Sequence, residues 1–132
     1  MSFQFDTTVS IRGTLPRVSF EKIARAILGN NYSLSLVVCG DALSRVINKK
    51  YRPGRSGKKD YSPNVLSFPI SRSEGEIFLN MRKAEREARA LRVSIARHTA
   101  FLFVHGCLHL KGLKHGKKMD DLEQRYVKKA GF

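Results

Sequence analysis

Three of the four histidines of this chain fall in one run, His105-Gly106-Cys107-Leu108-His109-Leu110-Lys111-Gly112-Leu113-Lys114-His115. On an α-helix His105 and His109 share one face, one turn above the other. Gly112 supplies the left-handed residue that ends a helix, so the chain can turn and return His115 toward the same face. Three convergent imidazoles without a fourth protein ligand describe a catalytic metal site with one open position. Neutral imidazole holds zinc at about 2.0–2.1 Å, and the one-turn spacing of His105 and His109 suits two such bonds. The expected cofactor is one Zn2+ per chain, with another divalent metal as the alternative.

Charge is the second constraint. Lys and Arg number 25 against 11 Asp and Glu, a formal net charge of +14 in 132 residues. Such an imbalance in a small domain predicts a polyanionic partner, and nucleic acid fits it best. The cations are grouped. Arg45, Lys49, Lys50, Arg52, Arg55, Lys58 and Lys59 follow one another with no acid among them, and Arg82, Arg86 and Arg89 recur at helical spacing. The candidate nucleic-acid-binding residues are therefore Lys49, Lys50, Arg55, Lys58, Lys59, Arg82, Arg86 and Arg89. A membrane partner is disfavoured, because no stretch pairs a wide apolar face with a basic one. The two cysteines, Cys39 and Cys107, lie in apolar runs and read as reduced core residues of a cytoplasmic protein.

The length predicts one domain over 1–132. Alternation predicts a strand over 3–11, and an apolar stripe predicts a helix over 18–28. Residues 34–39 read as a central strand. Asp41 is placed to cap a helix running to Lys50 with Leu43, Val46 and Ile47 inward. Residues 52–63 form the longest loop. Residues 65–68 make a short strand stopped by Pro69, 71–75 a turn, and 76–79 another strand. Asn80 and Ser94 are N-caps for helices reaching Leu91 and Lys111, and a last helix covers 119–130. The class is α+β, a small mixed sheet of about four strands with helices packed on it and the metal-binding helix near the C-terminus.

The frame His-x3-His-x2-Gly-x2-His equals that of the metzincin proteases, which need a glutamate directly after the first histidine. Gly106 stands there and cannot carry a proton, so a standard metalloprotease is rejected. The run Val104–His115 instead resembles the His-Gly-x-Leu-His-Leu-x-Gly-x-x-His signature of the YbeY family, the bacterial rRNA maturation endoribonucleases. Asn48-Lys49-Lys50-Tyr51-Arg52 is similar to that family's Asn-x-x-Tyr-Arg segment. Asn64-Val65-Leu66-Ser67-Phe68-Pro69 resembles its Val-Leu-Ser-Phe-Pro strand, and Gly75-Glu76-Ile77 its Gly-Asp-Ile. The chain departs from the pattern at Lys114, where Asp is usual, at Pro63-Asn64 for Thr-Asp, and at Glu76 for Asp.

The resemblance implies a single-strand endoribonuclease with zinc on His105, His109 and His115. It also implies action in ribosomal RNA maturation and ribosome quality control, with the small ribosomal subunit as partner. Arg52 would face the phosphate and is the candidate catalytic residue, its guanidinium able to grip two phosphate oxygens. A metal on three neutral imidazoles keeps its charge and can bring the pKa of water toward about 7. No general base stands out. Asp120, Asp121 and Glu123 read as charges at a helix N-terminus, and His98 as a buried residue behind the ligands. Tyr51 and Tyr61 flank the basic loop and are placed either to stack on bases or to anchor the loop. The alternative function is a basic RNA- or ribosome-binding assembly factor with a structural metal or weak catalysis, a reading that Lys114 keeps open.

Overall fold

A computed structural model describes residues 2–51 and 61–132. In chain order it contains β1 (Gln4–Val9), α1 (Phe20–Leu28), β2 (Ser33–Cys39), α2 (Asp41–Tyr51), β3 (Val65–Ser71), β4 (Glu74–Asn80), α3 (Met81–Leu91), α4 (Ile95–Leu110) and α5 (Lys117–Lys129). The four strands form one mixed sheet in the order β1-β2-β4-β3. β1, β2 and β4 run parallel, and β3 is an antiparallel edge strand on β4. This is the α+β architecture expected from the sequence.

Strand periodicity sets which face meets the helices. Leu34, Leu36 and Val38 of β2 pair with Gly75, Ile77 and Leu79 of β4, and all of these are buried. Against this face lies α4, which is buried almost all round because α1, α3 and α5 flank it. Phe103, fully buried on α4, meets Phe20 edge-on at 4.9 Å and Phe5 at 6.5 Å between ring centroids. Such aromatic pairs add about 0.5–1.5 kcal/mol beyond area burial. The two capping expectations for this layer hold: the Asn80 side chain accepts from the Lys83 N–H, and that of Ser94 from the Arg97 N–H.

Three expectations are corrected. First, β3 does not stop at Pro69 but continues to Ser71, with a register irregularity between the two. The missing N–H of proline is tolerated because β3 is an edge strand. Second, α2 does not turn Val46 inward. Val46 is 57% exposed, Leu43 and Ile47 are half-buried, and the buried residues are Ser44 and Asn48. The helix is held by polar contacts: Ser44 Oγ donates to the Pro63 carbonyl at 2.7 Å. Third, Asp41 is the first residue of α2 instead of the residue before it. Its carboxylate accepts from Asn80 Nδ2 at 2.9 Å and from both Nη atoms of Arg86 at 2.8 and 2.9 Å, tying α2 to β4 and α3. Among the described residues no helix is long and apolar enough to cross a membrane.

Candidate metal centre

The last turns of α4 set His105 and His109 on one face, with their Nε2 atoms 3.0 Å apart. The helix then ends in a Schellman motif. Gly112 takes a φ of 99°, its N–H bonds the His109 carbonyl at 3.0 Å, and the Leu113 N–H reaches back to the Leu108 carbonyl at 3.1 Å. A side chain at residue 112 would be strained at that φ. The turn returns His115, whose ring centroid lies 5.1 Å from that of His105 and 4.8 Å from that of His109. One nitrogen from each imidazole falls within 4.8 Å of the others.

The outer nitrogens explain the orientation of the rings. His105 Nδ1 pairs with the carboxylate of Glu123, a buried residue of α5. His109 Nδ1 lies 3.2 Å from the Leu113 carbonyl oxygen. Both partners accept, so each Nδ1 donates outward and each Nε2 is the nitrogen turned to the shared face. The 3.0 Å separation of the two Nε2 atoms is near that of two nitrogens on one metal ion. Two zinc–nitrogen bonds of tetrahedral geometry place their nitrogens about 3.4 Å apart, so a small relaxation suffices. The donor set fits a divalent metal, with the carboxylate and carbonyl behind the rings fixing tautomer and direction.

Glu123 is the residue that the sequence reading missed. It is not a charge at a helix N-terminus but a buried partner of His105. The signal was present: Met119, Glu123 and Val127 recur at helical spacing, and all three are buried. A carboxylate within an apolar stripe needs a partner. Asp120 and Asp121 do remain exposed near the start of α5.

The imidazoles open into a cleft of about 710 Å³ between the end of α4 and the edge strand β3. Asn64, Val65, Leu66, Ser67 and Pro69 form one wall, and Leu113, Lys114 and the histidines the other. Gly106 lets the two walls meet. A Cβ there would lie 3.0 Å from Ser67 Oγ and 3.2 Å from Ile77 Cδ1 and Val65 Cγ2. Ser67 Oγ donates to the Gly106 carbonyl at 2.9 Å, closing the seam. The position that carries glutamate in a metzincin is thus packed against the sheet, with no room for that side chain. Behind the β3 wall, Asn64 Nδ2 donates to both oxygens of Glu87 at 3.2 Å, and Glu87 meets His98 Nε2 at 2.9 Å. His98 is buried and stacks on Phe101, which lies beside His105.

The candidate RNA-binding residues are placed unevenly. Lys49 and Lys50 are exposed on the last turn of α2. On α3, Arg82 pairs with Glu85 at 3.2 Å and donates to the Arg12 carbonyl, and Arg86 is held by Asp41. Arg89 is exposed. The tyrosines on either side of residues 52–60 are in use: Tyr51 packs edge-on against Phe68, and Lys83 Nζ lies 4.3 Å above the Tyr61 ring. Arg52, Arg55, Lys58 and Lys59 lie outside the described residues.

Comparison with known proteins agrees with this geometry. The family profile of endoribonuclease YbeY matches residues 8–131. The chain is 31% identical over 143 residues to endoribonuclease YbeY of Cupriavidus metallidurans, covering 100% of this chain and 70% of the relative. It is 32% identical over 126 residues to that of Solibacter usitatus, covering 90% and 82%. A solution structure of a Thermotoga maritima protein matches with a TM-score of 0.67 at 19% identity, covering 97% of this chain and 88% of that one, a likeness of fold. The match runs from β1 through the whole histidine turn, and the chain belongs to the endoribonuclease YbeY family, enzymes that cut RNA within the strand.

Proposed function

We propose that this protein is a zinc-dependent hydrolase that cuts single-stranded RNA in the maturation and quality control of ribosomal RNA, acting with the small ribosomal subunit in the cytoplasm. The observation that carries the reading is the convergence of the three imidazoles, with the Nε2 atoms of His105 and His109 facing each other, at an open cleft. A zinc ion held there supplies Lewis acidity toward a phosphoryl oxygen and lowers the pKa of water. The protein supplies the rest. Glu123 and the Leu113 carbonyl hold two of the imidazoles in orientation through their Nδ1 atoms. The Ser67–Gly106 seam fixes the β3 wall at its distance from them. Arg52 contacts the scissile phosphate and gains strength as charge builds in the transition state.

A second reading is a ribosome-binding assembly factor with a structural metal. It is favoured by one feature: among the described residues lining the cleft none is a carboxylate. The test compares wild type, Arg52→Ala and His109→Ala on single-stranded RNA, with metal content measured in parallel. The enzyme reading expects about one zinc per wild-type chain, loss of metal and cleavage in His109→Ala, and a loss of about 10²–10³ in rate in Arg52→Ala at full metal content. Equal cleavage by all three would assign the activity to a contaminant and leave the binding factor.

A further inference from the structure

We propose that Lys114 is a substrate-binding residue of the cleft, placing its ammonium on a phosphate beside the metal position; this deepens the RNA-cutting reading above and rests on it. Residue 114 is held from both sides. Leu113 packs on the core and its carbonyl orients His109, and His115 is itself one of the three convergent imidazoles. Lys114 is therefore kept beside the site by its neighbours, and it lines the cleft. Lys114 is exposed, with no hydrogen bond or ion pair to any described residue. Among the described residues that line the cleft it is the one formal cation, and none of them is an acid.

A lysine at such a place has a cost and a use. Its charge opposes a divalent cation in the same cleft, which weakens metal binding. The same charge, added to that of a metal, attracts a phosphodiester anion. The ammonium acts as a point charge on a flexible stem, so it suits a phosphate whose position varies with the nucleotide. Unlike the lysines on α2 and α5, it acts where the RNA backbone must pass to be cut.

The experiment uses the zinc-loaded full chain and a short single-stranded RNA blocked against cleavage by N3′→P5′ phosphoramidate linkages, which keep the charge of each phosphate. Lys114→Ala, Lys114→Arg and, as a control far from the cleft, Lys22→Ala are compared by affinity across a salt series and by the rate at which a chelator removes zinc. Lys114→Ala is expected to reduce the slope of log affinity against log salt by about 0.7, the value for one phosphate contact on a single strand. It should also slow zinc removal. Lys114→Arg should restore the wild-type slope, and Lys22→Ala should leave it unchanged. A wild-type slope in Lys114→Ala, or an equal fall in Lys22→Ala, overturns the proposal. Uncut RNA with the unblocked wild-type enzyme would count against the cleavage reading alone, since the binding measurement does not depend on it.

Discussion

At the end of α4 the histidines converge chiefly through their own helix and its cap; along α3 two of the three arginines are also held by other elements. His105 and His109 converge because helical spacing puts them one turn apart, and Gly112 brings His115 round within a few residues. Arg82, Arg86 and Arg89 share helical spacing too, yet they do not form one basic face. Arg86 is drawn onto Asp41 from α2, and Arg82 onto Glu85 and the Arg12 carbonyl. A spacing motif fixes geometry when every contact it needs lies within a turn or two. When the partners lie tens of residues away, spacing gives the positions of the charges but not what they bind.

The contrast is sharpest at Glu123, a partner of the first imidazole from a different helix. If local geometry alone aims the rings, Glu123→Gln should leave the metal site intact. The expectation is the opposite. Replacing a partner behind a metal-bound histidine lowers metal affinity by about 10–100-fold, and the amide can present its NH2 to Nδ1 and favour the wrong tautomer. Competition with a zinc-binding dye reads this directly. Retained affinity would mean that the helix and cap suffice.

Gly106 offers the next test, because it joins the local motif to the sheet. Gly106→Ala raises helix propensity by about 1 kcal/mol, which favours the variant if only α4 matters. Its Cβ would meet Ser67 Oγ, Ile77 and Val65 at 3.0–3.2 Å. Overpacking of this kind costs about 1–3 kcal/mol. Net destabilisation in urea unfolding, with weaker metal binding as the β3 wall moves, is the expected result. A more stable variant would show that the seam is slack.

These comparisons explain what was legible beforehand. The caps at Asn80 and Ser94, the α4 break and the histidine triad depend on neighbours within about five residues, and each reads directly from side-chain chemistry. The course of β3 past Pro69 was not legible, since it follows from β3 lying at the sheet edge, a fact of topology. The inward face of α2 was misread for a related reason. Apolar periodicity marks Val46, but the helix packs through Ser44 on the Pro63 carbonyl, a hydrogen bond with no sequence signature. The Glu123 partnership lay between these cases: its position in an apolar stripe was visible, and its partner was not.

The smallest effect separates a paired arginine from an exposed one. Arg86 is the main reason that the Asp41 carboxyl is lowered from 3.8 to about 2, with Asn80 as the second cause. A depressed carboxyl stabilises the fold fully above its unfolded value, and that contribution fades as pH falls from 3.8 toward 2. Arg86→Ala should therefore cost stability near pH 6, and the gap to wild type should close in that acidic window. Both side chains are partly exposed, at 55% for Arg86 and 30% for Asp41, so the cost is about 1 kcal/mol or less. Arg89→Ala should do the reverse, leaving stability within about 0.5 kcal/mol while lowering the salt slope of RNA binding by about 0.7. Urea midpoints across pH, set beside the two salt series, decide the matter. If Arg86→Ala lowers the slope as much as Arg89→Ala does, Arg86 leaves Asp41 for RNA, and α3 is one continuous basic face after all.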